Sequence, residues 1–228
     1  MRLKIVSLLV LFLLPFSALA QDVTTFLGIP VDGTKSQMRK KIIAKGFTPK
    51  MEAGQEYFSG EFNGVKVDLF IGTNNKKVYR IMLCDVAKLD EANIKVRFNN
   101  LVSQFEKNKK YISLGKQYLS DYENISYEMN VNNKIYQAVF YQVPDTTKLD
   151  FKSITNEIIQ ELSSKYTKEQ LNSPSDEIKK EIASAVSERT FDIINKKTVW
   201  FKIESLFGMY FIVMYYDNGY NQANGEDL

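Results

Sequence analysis

The chain has 228 residues, 30 Lys and Arg against 27 Asp and Glu, one cysteine and no histidine. Without imidazole, Ser-His-Asp and Cys-His nucleophilic machinery, histidine-ligated metal centres and axial-histidine haem are excluded. The single Cys84 excludes cysteine-rich zinc sites, CxxC redox motifs and an intramolecular disulfide.

At the N-terminus, Arg2 and Lys4 precede an apolar run from Ile5 to Leu14, followed by Pro15 and by Ala18-Leu19-Ala20 before Gln21. This is the tripartite pattern of a secretory signal with an A-x-A cleavage site, and the run is shorter than the ~20 residues that span a bilayer. Residues 1–20 are therefore expected to be removed, leaving an exported chain, periplasmic or secreted, of 208 residues. Its formal charge is +1 where the full chain has +3. The position after the cut is Gln21 and not cysteine, so no lipid anchor is expected. A near-neutral chain has no net pull toward nucleic acid or anionic lipid. No stable membrane insertion is expected after cleavage.

The first helix is announced by the capping box Thr34 to Gln37, with Gly46 at its C-terminal end and Met38, Ile42 and Ile43 as its apolar residues. The pattern then changes to period two. Asn63-Gly64 lies between Glu56–Phe62 and Val65–Ile71, a strong hairpin signal, and Asn74-Asn75 separates the second strand from Val78–Cys84. A helix from about Asp90 to Lys109 carries Ile94, Phe98, Leu101, Val102 and Phe105 on one face. Strands are expected next over Lys116–Tyr122, Ile125–Asn130 and Ile135–Val143.

The two stretches look duplicated. Gly54–Ser59 matches Gly115–Ser120 at an offset of 61, and Asn74-Asn75-Lys76 matches Asn132-Asn133-Lys134 at 58. From Phe151 the text is helical, with Phe151, Ile154, Ile158, Leu162 and Tyr166 on one stripe; a second helix starts at Pro174-Ser175 and carries Ile178, Ile182 and Val186. Thr198–Ser205 and Met209–Tyr216 read as a closing hairpin, with Phe211, Val213 and Tyr215 on the core face. The expected fold is α+β: tandem helix-plus-antiparallel-meander repeats with helices on one face of the sheet. The segments are a signal over 1–20, repeats over 21–87 and 88–145, helices and a closing hairpin over 146–217, and a mobile polar tail over 218–228.

The runs Phe26–Lys35, Arg97–Leu101, Thr198–Glu204 and Asn224–Leu228 resemble a group of exported Bacteroidetes proteins, a likeness that carries no activity with it. In architecture alone, the duplicated helix and meander is similar to β-lactamase-inhibitor-like domains and to small outer-membrane-assembly lipoproteins. No binding residue of those families matches by motif.

The remaining chemistry has structural explanations. Ser113-Leu114-Gly115-Lys116 has S-x-x-K spacing, but Gly115 interrupts it in a connection. Cys84 lies on a strand as a buried thiol, and Asp90 with Glu91 suits a helix start. Asp217, Asn221, Glu226 and Asp227 lack the register of a calcium loop. No catalytic residue, metal ligand or cofactor is assigned.

Trp200, Tyr210 and Tyr216 are the candidate binding residues. Alternation places them together on the outer face of the closing hairpin, either as an exposed patch or beneath the 151–197 helices. The expected function is a non-catalytic exported binding or protein-interaction module of the cell envelope. Alternatives are a carboxylate-dependent hydrolase without histidine or metal, and a structural envelope component.

Overall fold

The structure, a computed structural model, describes residues 21–223; the signal expected over 1–20 lies outside the described residues. Strands β1 (Thr25–Phe26) and β2 (Ile29–Pro30) make a short hairpin before helix α1 (Lys35–Ala44). The capping box is formed: the Gln37 N–H donates to Thr34 Oγ1 at 3.3 Å, and Thr34 N–H donates to Gln37 Oε1 at 3.0 Å. Four strands follow as a meander: β3 (Thr48–Glu52), β4 (Gln55–Phe62), β5 (Val65–Asn74) and β6 (Lys77–Asp85). Asn63 and Gly64 both have positive φ, as a type I′ hairpin turn requires.

Helix α2 (Glu91–Lys107) buries the five predicted apolar residues, and the Asp90 carboxylate caps it by accepting the Asn93 N–H at 2.8 Å. The second meander does not form. After β7 (Tyr111–Ile112) the chain crosses residues 113–124 without a strand, and the predicted strand around Ile125–Asn130 is helix α3 (Ile125–Val131). The cause is tertiary. The Glu91 carboxylate accepts the Ile125 N–H at 2.8 Å and the Ser126 N–H at 3.4 Å, capping α3 from α2 while Ile125 is fully buried. Only the last predicted strand of this stretch persists, as β8 (Gln137–Gln142).

Helices α4 (Phe151–Ser163), α5 (Lys168–Asn172) and α6 (Asp176–Asn195) precede the closing hairpin of β9 (Thr198–Leu206) and β10 (Met209–Asp217). Eight strands form one antiparallel sheet in the order β3-β4-β5-β6-β10-β9-β8-β7. The fold is therefore α+β, and the sheet runs through all the segments expected as separate repeats.

Helices α1, α2 and α3 cover one face of this sheet. Met38, Ile42, Phe98, Leu101 and Ile125 pack there against Phe58, Leu69, Ile81, Phe201 and Met214 in one core. Phe105, Phe140 and Phe201 stack within it, with Phe98 edge-on to Phe201 at 4.9 Å. The 151–195 helices hold a small core of their own around Ile158, Leu162 and Ala185. They meet the sheet at β8, where Phe191 stands edge-on to Tyr141 at 6.3 Å.

The start of the described chain is firmly seated. Asp22 and Lys197 form a buried ion pair at 2.8 Å, and the Asp145 N–H donates to the same carboxylate. The tail expected to be mobile is anchored as far as it is described. Asn218 is fully buried and donates to the Val31 carbonyl, and Asn221 donates to Asp32 and to the Val78 carbonyl, each at 2.8 Å.

Candidate functional site

Strand pairing decides which side chains share the face opposite the helices. The register places Tyr57 beside Phe70, Phe70 beside Met82, Met82 beside Tyr215, Tyr215 beside Trp200 and Trp200 beside Val139. These six form one row across β4, β5, β6, β10, β9 and β8, all partly exposed. At ~4.8 Å between strands, the row is about 24 Å long. Its members support one another: Tyr57 and Phe70 stack at 5.7 Å, and Trp200 and Tyr215 stack at 4.1 Å with only 17° between ring planes.

Charged groups flank the row. On one side Asp217 accepts from Arg80 Nε at 2.5 Å, from Arg80 Nη2 at 2.7 Å and from Trp200 Nε1 at 2.9 Å. The Asp217 hydrogen bond raises the Arg80 guanidinium above its ordinary range against the effect of burial. Arg80 also lies 4.8 Å from the Tyr215 ring centre and 5.7 Å from that of Trp200, so the aromatic pair is clamped at one edge. A bulge opposite Gly72 and Thr73 makes this possible. It lets Val78 enter the core while Tyr79 and Arg80 both reach the outer face.

On the other side stand Asp68, Cys84, Val213 and Lys202, paired in register, then Phe211 and Glu204. Lys202 pairs with Glu204, and the Lys88 ammonium sits 3.4 Å from the Phe211 ring centre. Burial pushes the Cys84 thiol up, the direction of an unreactive sulfur. Beside the far end of the row, Glu52, Tyr57, Asp68 and Phe70 line a concavity of about 340 Å³.

The three predicted aromatics do not share this surface. Trp200 is on it; Tyr210 and Tyr216 point into the helix-covered core, each 3% exposed. The sequence pattern puts Phe211, Val213 and Tyr215 on the core face. In the sheet Leu83 pairs with Met214, and Ile81 pairs with Tyr216. A shift of one residue exchanges the two faces, so Phe211, Val213 and Tyr215 are outside and Tyr210 and Tyr216 inside. Nor do the 151–195 helices fold over Trp200; they stop at β8.

Tyr210 instead belongs to a structural cluster, its hydroxyl 2.7 Å from Ser126 Oγ, which donates to Glu91. Those hydrogen bonds hold Glu91 below the usual carboxylate range. Ser126 faces a carboxylate that is already capping α3, so the trio fastens one helix to another and to β10. Tyr57, Phe70, Met82, Tyr215 and Val139 were missed in the sequence because the row exists only across strands; the pairing of β10 on β6 is what joins Met82 to Tyr215.

Comparison with family models, curated proteins and solved structures gave no match. Among the described residues no group of three or more acidic or cysteine side chains is placed to hold a metal ion, and no helix is long and apolar enough to cross a membrane.

Proposed function

We propose that the chain is an exported, non-catalytic protein-interaction module that binds its partner on the face of the sheet opposite α1, α2 and α3. The observation that carries this reading is the row Tyr57, Phe70, Met82, Tyr215, Trp200 and Val139, apolar from end to end and flanked by charges of both signs. Aromatic and methionine side chains at the centre of a surface with a polar rim have the composition of an interaction hot spot. The occupant that fits is an amphipathic helix of a partner protein. About 16 residues of helix match the length of the row, and the mixed rim of Arg80, Asp68, Lys202 and Glu204 suits the charged flanks of such a helix. The alternation of sign around the row argues against nucleic acid or an anionic lipid surface. Export rests on the sequence of residues 1–20, and the ordered packing that begins at Asp22 is compatible with a cut just before it.

A photoreactive amino acid at position 70 or 215, introduced in cells that export the protein, tests this. Both positions are expected to cross-link to the same partner, and the same probe at Val96, exposed on α2, is not. Equal capture from position 96, or capture from neither row position, would refute the reading.

A further inference from the structure

On the helix-covered side, the sheet, the N-terminal hairpin and the end of α2 leave a cavity of about 380 Å³. It is unrelated to the aromatic row. Its floor is rigid: Tyr216 lies edge-on to Phe62, and Tyr111 lies edge-on to Phe105 at 4.7 Å. Gln142 locks the base. Its Oε1 accepts the Thr25 N–H at 2.8 Å, and its Nε2 donates to the Thr25 carbonyl at 2.7 Å and to the Tyr111 hydroxyl at 3.2 Å. A ring entering the cavity meets aromatic walls that are already fixed.

The rim differs in character. Gln104 Oε1 accepts from Asn63, and Asn108 Oδ1 accepts the Lys110 N–H at 3.1 Å. Those bonds use the amide oxygens of Gln104 and Asn108, and their NH₂ groups make no hydrogen bond among the described residues. Lys110 makes no ion pair among the described residues. The rim thus offers an ammonium and two amide donors, and no carboxylate lines the cavity. Gln104, Asn108 and Lys110 are all exposed, so nothing must unfold to reach them. At the mouth Leu27 is 40% exposed, and with Gly28 it forms the two-residue turn of the β1–β2 hairpin, both at positive φ.

We infer that this cavity binds a small six-membered ring bearing one carboxylate, with the ring against the partly exposed Tyr111 and the carboxylate on Lys110 and the Gln104 and Asn108 amides. Its size, at the lower end of small-molecule sites, admits one ring and not an extended ligand. Two kinds of compound share this chemistry, a sugar acid and an aromatic acid.

The test is a titration of the ¹⁵N-labelled protein, residues 21–228, with glucuronate and with benzoate, each paired with its neutral counterpart, glucose or benzamide. At least one acid is expected to shift the side-chain amide signals of Gln104 and Asn108, and the responding acid identifies the source. The neutral counterpart is expected to bind about tenfold more weakly or worse, the loss of one charge-assisted contact. Lys110→Gln, an exposed change, is expected to weaken the acid by a similar factor and leave the folded spectrum intact. Gln104→Leu should weaken it as well. Neutral compounds binding as well as acids, shifts confined to other surfaces, or no shift with either acid would overturn the assignment.

Discussion

Adjacent residues on β9 have opposite surroundings, and truncating each in turn measures which face of the sheet is the core. Phe201 is fully buried and touches three phenylalanine rings, at 4.9, 5.9 and 6.1 Å between centroids. Cutting it to alanine opens a cavity that helix α2 cannot collapse to fill, because Phe98 and Phe105 are held by the rest of that helix; the cost is about 3–5 kcal/mol. Trp200 loses less. Its removal ends a stack on Tyr215, worth ~0.5–1.5 kcal/mol, and one hydrogen bond to Asp217, which keeps both of its bonds to Arg80. Water reaches the vacated place, so Trp200→Ala should cost about 1–2 kcal/mol. Against a total stability on the order of 10 kcal/mol, the first change shifts a urea midpoint by a large fraction and the second by a small one. The transitions are best followed by far-ultraviolet dichroism, since Trp200 is the only tryptophan. If Trp200→Ala proves as costly as Phe201→Ala, the assignment of faces is wrong, and with it the uncovered row.

Three further outcomes follow from the fold. Glu91 is held below the usual carboxylate range by hydrogen bonds from Ser126 and from α3, so its contribution is complete above its unfolded pKa of ~4.3 and is lost as pH falls through the lower folded value. The stability gap between wild type and Glu91→Gln should therefore be widest near neutrality and close below about pH 4; a gap that grows on acidification would contradict this. Lys197→Ala strands Asp22 in the interior and should cost about 3–5 kcal/mol in a denaturant titration, with Asp22→Asn in the same chain recovering part of the loss. Gly60→Ala and Gly64→Ala should fail for different reasons. A Cβ at position 60 would lie 2.5 Å from the Phe47 ring, whereas at position 64 it meets open space but a φ of +74°. Both should lower the melting temperature, by ~1–3 kcal/mol equivalent for the first and ~1–2 for the second. Adding Phe47→Leu should rescue only Gly60→Ala.

Much of the fold was legible wherever the signal was local. The Thr34–Gln37 capping box, the Asn63-Gly64 turn and the apolar stripe of α2 depend on neighbours within a few positions, and each forms as read. Strand β3 escaped notice because Thr48–Glu52 is exposed throughout and contains Pro49, so it has neither alternation nor the composition of a strand. Helix α3 was misread because Ile125, Tyr127 and Val131 favour strands; its local cap, Asn124 accepting the Tyr127 N–H at 2.9 Å, is joined by a carboxylate 34 residues earlier that accepts the Ile125 N–H. Of the proposed site only Trp200 was found. Alternation tells which residues share a face within one strand, but the relation between strands is set by register, and an error of one residue in β10 moved two aromatics to the wrong side.

The position of β10 bears on how such a chain comes into being. The last strand of the sheet lies in its middle, paired with β6 on one side and β9 on the other, and it brings Tyr215 beside Met82, 133 residues earlier. Until residues 209–217 have emerged, the N-terminal meander ends in an open edge at β6, and β9 waits with another. The two hairpin systems can form locally, but the joining of β10 to β6 waits for the end of the chain. A stop codon between Leu206 and Met209 would leave two sticky strand edges, at β6 and β9, in place of one closed sheet.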